Sequence, residues 1–280
     1  MSSSWSFQKG GQGSASWGGE GLIDQPANDE HTKWKKFWDK QAKEEEDIHK
    51  AVRGERVYSA QVQAFHDQRL IELLAPKSTD HILDAGCGLG DHVLLLSNKV
   101  ARITAIDYSP FMVERCKARL DKAGVKNVDV EVTDVTDLPF PDDSFDGVIS
   151  IALLPWLSDE EVVKTFSEIK RVVKKGGSIV YHFKNIFSPC GIMVATGRTL
   201  RALLRGRPPL ESHYRSYWWY TKRSRKFGRL VGRYSYGTWT PLMPRGLMGF
   251  IAVLETRMAR ITPILRPFGK EYFLAIRVNK

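Results

Sequence analysis

Long apolar runs are missing from this 280-residue chain. The longest, GLMGFIAVL over residues 246–254, is far short of the roughly 20 residues that cross a bilayer, so no transmembrane span is expected. Cysteine is scarce as well. Cys87, Cys116 and Cys190 show no paired spacing, which excludes a disulfide framework and points to a reducing, cytoplasmic setting. The opening MSSSWSFQKG holds no apolar core segment, so a cleaved secretory leader is not expected. The seven His and three Cys fall at no metal-ligand spacing, and no metal is expected.

Acidic residues are nearly absent from the last third. Residues 186–280 carry 18 Lys and Arg against Glu211, Glu255 and Glu271, a net of +15 on a chain whose total is +10. An excess confined to one region points to an anionic partner there: phosphate, nucleic acid or a lipid headgroup. Within it, HYRSYWWYTKRSRK (213–226) interleaves aromatics with positive charge. That pattern suits single-stranded nucleic acid, a pocket for an anionic small molecule, or a membrane face.

The 42% hydrophobic content supports a sizeable core. Residues 1–30, rich in Gly and Ser, read as a mobile tail, and residues 31–76 as two N-terminal helices. From there strands and helices alternate. HILDA (81–85), ARITAID (101–107), VDVEVTD (128–134), FDGVISI (145–151) and GSIVYHF (177–183) read as strands. The helix SDEEVVKTFSEIKRVVKKGG carries a capping box in Ser158 and Glu161, basic residues Lys174 and Lys175 at its end and Gly176 as a left-handed stop. Ser109 and Pro110 open another helix. This alternation predicts an α/β, doubly wound, mostly parallel sheet. Met193–Arg207 reads as a basic amphipathic helix with Arg198, Arg201 and Arg205 on one face. TKRSRKFGRLVGR (221–233) reads as the start of a helix with Phe227, Leu230 and Val231 inward, and EYFLAIRV (271–278) as the closing strand.

The central motif is LDAGCGLGD, in which a strand runs into Gly86-x-Gly88-x-Gly90. The dinucleotide fingerprint is G-x-G-x-x-G, with pyrophosphate on the helix N-terminus. Here Asp91 stands at the third glycine's place, where a carboxylate repels a diphosphate. The run Asp84–Gly90 resembles the first motif of class I S-adenosylmethionine (SAM)-dependent methyltransferases. AIDYSPFMVERC (105–116), VTDVTDLPFPDDSFDGVIS (132–150) and Gly176-Gly177 before SIVYHF resemble the later motifs in order and spacing. The LPF…SFD pattern is similar to that of the ubiquinone/menaquinone-methyltransferase-like (type 11) group. The resemblance covers roughly residues 58–185. It implies a seven-stranded Rossmann-like sheet over 77–185, completed by residues 271–280. N-terminal helices would cap the cofactor site, and a helical, aromatic acceptor lid would occupy 186–270.

For the cofactor, SAM, the resemblance implies that Asp84 and the backbone of Gly86, Cys87, Gly88 and Gly90 hold the methionine part. Asp107 would accept the ribose hydroxyls, as acidic residues do in related folds. Tyr108 and Met112 would flank the adenine, Asp134 and the Val135 N–H would read its edge, and Ser150 and Ile151 would line the floor near the methyl group. Methyl transfer is an in-line displacement that rests on alignment and water exclusion. No general base is evident from motif spacing, and the candidates are His182, His213, Tyr214 and Tyr58. The Asn/Asp-Pro-Pro-Tyr pattern of enzymes that methylate amide or base nitrogens is missing.

The acceptor is expected to be a small anionic or amphipathic metabolite, phosphorylated, isoprenoid or lipid-linked. Arg198, Arg201, Arg205, Arg215, Lys222 and Arg223 are the candidate anion contacts, and Tyr217, Trp218 and Trp219 the candidate apolar wall. Peripheral contact with an anionic membrane is a further expectation. The alternatives are an RNA methyltransferase and a non-catalytic subunit with the same fold.

Overall fold

In the computed structural model, residues 60–185, 215–236 and 271–280 are described continuously, with Trp34, residues 36–40, Lys43 and the single positions 187, 188, 192, 196, 197, 200, 204, 213, 254 and 269. The expected tail over 1–30 lies outside the described residues. Trp34, residues 36–40 and Lys43 are helical, as the aromatic spacing predicts.

Helix α1 spans Ala60–Leu74, followed by β1 (His81–Ala85), α2 (Asp91–Leu96), β2 (Arg102–Asp107), α3 (Pro110–Lys122), β3 (Val128–Val132) and β4 (Phe145–Ser150). A 3₁₀ turn (Leu154–Trp156), α4 (Asp159–Val172), β5 (Val173–Lys184), α5 (Tyr217–Ser224), β6 (Gly228–Tyr236) and β7 (Glu271–Val278) complete the described elements. The strands form one seven-stranded sheet in the order β3-β2-β1-β4-β5-β7-β6. β1 runs parallel to both β2 and β4, and β4 to β5. β7 is antiparallel to β5 and β6.

Ile82, Leu83, Asp84 and Ala85 are buried in succession, because a central parallel strand is covered on both faces. Alternate side chains feed two cores. Leu83, Ala85, Val148, Tyr181 and Phe183 join α4 and α5 on one face. Ile82, Ile103, Ala105 and Val180 join α1, α2 and α3 on the other. The strand order reverses between β1 and β4, and in such sheets the ligand crevice opens at the carboxyl ends of the strands flanking that switch.

Caps fix where the helices start. Ser158 Oγ accepts from Glu161 N at 3.3 Å while Glu161 Oε2 accepts from Ser158 N at 2.7 Å, the reciprocal box that satisfies two otherwise unpaired donors. Ser109 Oγ accepts from Met112 N at 3.3 Å at the start of α3, and Pro110 occupies its first turn.

Two sequence expectations are corrected. α4 stops at Val172, and β5 already begins at Val173, which pairs with Phe145 before the register shifts. Lys174 leaves the helix to meet Asp146 at 2.7 Å, and Gly176 (φ 77°) lies in the bulge of β5. The predicted helix over Thr221–Arg233 is instead the end of α5 followed by β6, with Val231 44% exposed.

Candidate active site

The carboxyl ends of β1, β2 and β4 open onto a cavity of about 180 Å³. Gly86 and Gly88 form its base, Asp107, Tyr108 and Met112 one side, and Thr133 and Val135 the next. Ile151, Ala152, Leu153 and the segment Pro155–Leu157 form the opposite wall, Trp34 and Trp38 the roof, and Lys184 the end at β5. A larger groove of about 660 Å³ runs along β6 between Arg69 and Arg233 and holds none of the motif residues.

The loop after β1 is fixed by main-chain bonds. Gly86 N and Cys87 N both donate to Ile106 O, at 2.9 and 2.8 Å. Gly88 N donates to Asp107 Oδ2 at 2.9 Å, and Ser109 N to Asp107 Oδ1 at 3.0 Å. Asp107 is thus held rigidly at the end of β2 with acceptor capacity remaining on both oxygens. Burial pushes its carboxyl up, and the bonds from Ser109 and Gly88 oppose that. Gly90 is constrained by packing. At φ 78° it caps α2, and a Cβ there would stand 2.6 Å from Cys116 Sγ.

Asp84 is 1% exposed, and neither carboxylate oxygen has a hydrogen-bond partner among the described residues. Burial, followed by the neighbouring charges of Asp107 and Asp91, pushes its pKa up to about 8. A buried carboxylate with no donor is costly.

Aromatic side chains close the cavity. Trp34 meets Trp156 edge-on at 4.6 Å, Trp38 does so at 5.1 Å, and Phe37 stacks on Trp156 at 6.4 Å. The helical residues are pinned where Ser109 Oγ donates to Asp39 and where Lys43 Nζ sits 3.9 Å over the Phe111 ring.

The wall carrying Trp156 is held from behind by Arg215. Its guanidinium donates to Leu154 O at 3.0 Å, Leu157 O at 2.5 Å and Asp159 Oδ1 at 2.6 Å. His213 N adds a bond to Pro155 O at 2.8 Å. Trp219 Nε1 donates to Asp159 Oδ2 at 3.2 Å, and Arg215 and Arg223 both lie over the Trp219 ring, at 4.8 and 3.6 Å. Beside them Asp159 is held below the usual carboxylate range: burial opposes that, and the Arg215 and Trp219 bonds overcome it.

Of the predicted cofactor residues, Gly86, Gly88, Asp107, Tyr108, Met112, Val135 and Ile151 line the cavity. Asp84, Cys87 and Ser150 are buried just behind it. Asp134 Oδ1 accepts from Thr136 N and Oγ1, both at 2.8 Å, and so shapes the loop that presents Thr133 and Val135.

The predicted acceptor residues fare differently. Arg215 is committed to carbonyls and Asp159, so it is corrected from an anion contact to a strut. Tyr217, Trp218, Trp219 and Lys222 belong to α5, capped where Ser216 Oγ accepts from Trp219 N at 3.0 Å, and none of them lines the cavity. Trp218 is 51% exposed. His182 sits inside the sheet–α1 core, its Nε2 3.2 Å from Glu271 Oε2 and its ring 5.0 Å from Phe273, away from the cavity lining. Arg198, Arg201, Arg205, Tyr58 and Tyr214 lie outside the described residues. Sequence reasoning missed Trp34, Trp38, Trp156 and Lys184. The aromatic period of residues 34–38 was the available signal for the first two.

Residues 82–177 match the family described as Methyltransferase domain. Over that third of the chain the protein is similar to SAM-dependent methyltransferases. Demethylmenaquinone methyltransferase of Symbiobacterium thermophilum is 36% identical over 107 residues, which is 36% of this chain and 41% of the relative. Phosphatidylethanolamine N-methyltransferase of Cereibacter sphaeroides is 34% identical over 100 residues, 35% of this chain and 48% of the relative. The chain thus spans less than half the length of these curated relatives. Geranyl diphosphate C-methyltransferase of Streptomyces coelicolor, solved with S-adenosylhomocysteine, superposes with a TM-score of 0.61 at 17% identity, over 90% of this chain and all of that one. The described strands and helices therefore share that structure's fold.

The residues of this methyltransferase domain fit SAM. Asp84 is an unpartnered buried carboxylate able to meet its ammonium. A Cβ at Gly88 would meet nothing within 4 Å, leaving the backbone open to a ligand. Asp107 presents acceptors for ribose hydroxyls at the end of β2.

Proposed function

We propose that this chain transfers the methyl group of SAM to a small acceptor with an apolar body and an anionic group. The observation that carries the reading is the pairing of Asp107, fixed by Gly88 N and Ser109 N, with the orphaned Asp84 below the same glycine loop. SAM supplies a methyl carbon made electrophilic by its sulfonium. Asp84, the glycine loop and Asp107 would fix the donor. Ile151–Leu153 would place the methyl carbon before the acceptor, and Trp34, Trp38 and Trp156 would exclude water. Such alignment can contribute about 7–11 kcal/mol to lowering the barrier.

Relatives named for quinone and phospholipid substrates and a structural neighbour bound to geranyl diphosphate support an amphipathic acceptor. The test is calorimetry with S-adenosylhomocysteine, followed by incubation with methyl-labelled SAM and fractionated extract. Label entering a lipid or small-molecule fraction supports the reading. Label in RNA favours RNA methylation, and tight binding without label favours a non-catalytic subunit.

Surface contact with an anionic membrane is a second reading. Ile192, Leu200 and Leu204 are 49%, 59% and 79% exposed within the strongly basic region, a composition suited to lying on a headgroup layer. No described helix is long and apolar enough to cross a membrane. Co-sedimentation with vesicles that contain or lack anionic lipid tests it, and equal partition into both refutes it.

A further inference from the structure

Lys184 is the last residue of β5 and lines the same cavity as Asp107, the last residue of β2. The intervening order is β2-β1-β4-β5. Three inter-strand steps separate the two residues, roughly 14 Å at the usual strand spacing. The carboxylate that suits the ribose thus stands at one end of the mouth and an ammonium at the other. Gly86 follows β1 and Ile151 follows β4, so the methyl-donating position falls between them.

The surroundings of Lys184 are apolar: Leu153, Pro155, Trp156, Leu157 and Trp34 share the cavity. The Lys184 side chain makes no hydrogen bond or ion pair with any described residue. Glu271 lies across the ladder in register, but it is buried against His182 and does not line the cavity. A half-buried ammonium beside aromatic and aliphatic walls lacks compensation until an anion arrives.

From this placement we infer that Lys184 anchors the anionic group of the methyl acceptor, and that the acceptor's apolar body lies along Leu153, Pro155 and Trp156 between that anchor and the methyl-donating position. This rests on the proposed methyl transfer and deepens it by placing the acceptor over the β4–β5 half of the cavity. Arg215, behind the cavity wall, is occupied in holding that wall. A carboxylate is also carried by the cofactor's methionine part, so the ammonium could serve either molecule, and the experiment must separate the two.

The experiment uses the full chain saturated with S-adenosylhomocysteine and three probes of one chain length: decanoate, decanol and decyltrimethylammonium. Binding is read by tryptophan fluorescence, since Trp34, Trp38 and Trp156 line the cavity. The wild type should bind decanoate more tightly than decanol and the cation most weakly. Lys184→Met should weaken decanoate about tenfold and leave decanol unchanged, Lys184→Arg should restore most of the loss, and Lys175→Met at the far end of β5 should change nothing. S-adenosylhomocysteine affinity should stay within twofold in Lys184→Met. Unchanged decanoate binding in Lys184→Met overturns the inference. A collapse of S-adenosylhomocysteine affinity in that variant also overturns it, by assigning Lys184 to the cofactor. Failure of the wild type to bind S-adenosylhomocysteine at all instead defeats the methyltransferase reading itself.

Discussion

Arg215 Nη2 donates to the Leu157 carbonyl at 2.5 Å, and a residue 58 positions further along the chain thereby holds a wall of the cofactor cavity in place. The same guanidinium takes the Leu154 carbonyl at 3.0 Å, so both ends of the turn that carries Pro155 and Trp156 hang on one side chain. Arg215→Met strands two carbonyls at about 1–3 kcal/mol each. A loss on the order of 3 kcal/mol in denaturant unfolding is expected, with weakened S-adenosylhomocysteine binding. Arg215→Lys should recover little of either, because an ammonium cannot reproduce the planar fork that spans two carbonyls and Asp159. Full recovery by lysine would show that charge alone matters there.

Asp84 makes the ligand-free protein sensitive to pH in an unusual direction. Its carboxyl is raised to about 8 by burial and by Asp107 and Asp91, far above its unfolded value. Between roughly pH 4 and 8 the unfolded chain has released a proton that the folded chain retains, so stability falls as pH rises across that window and levels off above it. Asp84→Asn should flatten this slope and raise the melting temperature at pH 8. Cofactor binding should behave oppositely. A cation beside Asp84 favours the ionised carboxylate, so affinity for S-adenosylhomocysteine should climb toward pH 8 with proton release, and the asparagine variant should lose both. Thermal melts and calorimetry in buffers of different ionisation heat measure the two effects.

Gly90 and Cys116 are coupled by space. Gly90→Ala places a methyl 2.6 Å from Cys116 Sγ and forces alanine to φ 78°. The backbone strain is of order 1–3 kcal/mol, and the clash adds to it. Cys116→Ala in the same chain removes the sulfur and should recover the clash but not the strain, giving a favourable coupling in a double-mutant cycle. Gly88→Ala meets nothing within 4 Å, so it should cost only strain yet weaken S-adenosylhomocysteine binding. Strictly additive costs for Gly90 and Cys116 would rule out the contact.

Ser158→Ala removes half of the capping box of α4 and should cost about 1 kcal/mol. Because Asp159 at the first turn of that helix receives Arg215 and Trp219, the loss should be accompanied by a change in tryptophan fluorescence. Ser167→Ala, on an exposed face of the same helix, should show neither effect.

The parallel half of the sheet was legible because its signals are local. A strand feeding Gly86–Gly90, a carboxylate ending β2 and the Ser158–Glu161 box each declare themselves within a few residues. The stretch from Tyr217 to Tyr236 was not. Phe227, Leu230 and Val231 fall at helical spacing, yet Gly228 and Gly232 decide for a strand. A Cβ at Gly228 would stand 2.3 Å from Arg277 O and one at Gly232 2.4 Å from Leu73 Cδ2, so these glycines exist to let β6 approach β7 and α1. Paired glycines inside a helical pattern were the available warning. Arg215 was misjudged because its partners lie 56 to 61 positions away. Lys184 drew no attention because one lysine at a strand end has no spacing to read, and only the strand order sets it opposite Asp107.

β7 occupies an interior slot of the sheet although it is the last of the described strands in sequence. β6 pairs with β7 and with no other described strand, so it has no docking place until residues 271–278 have emerged from the ribosome. His182 and Phe273, neighbours across the ladder, are far apart in sequence, and the entropy of bringing them together must be met late. The glycine-loop half can gather cotranslationally, whereas the half that anchors Arg233 and Tyr234 must wait for β7. Ribosome-bound nascent chains ending before Glu271 are therefore the species in which an unpaired β5 edge is exposed, and the stage at which aggregation competes with folding.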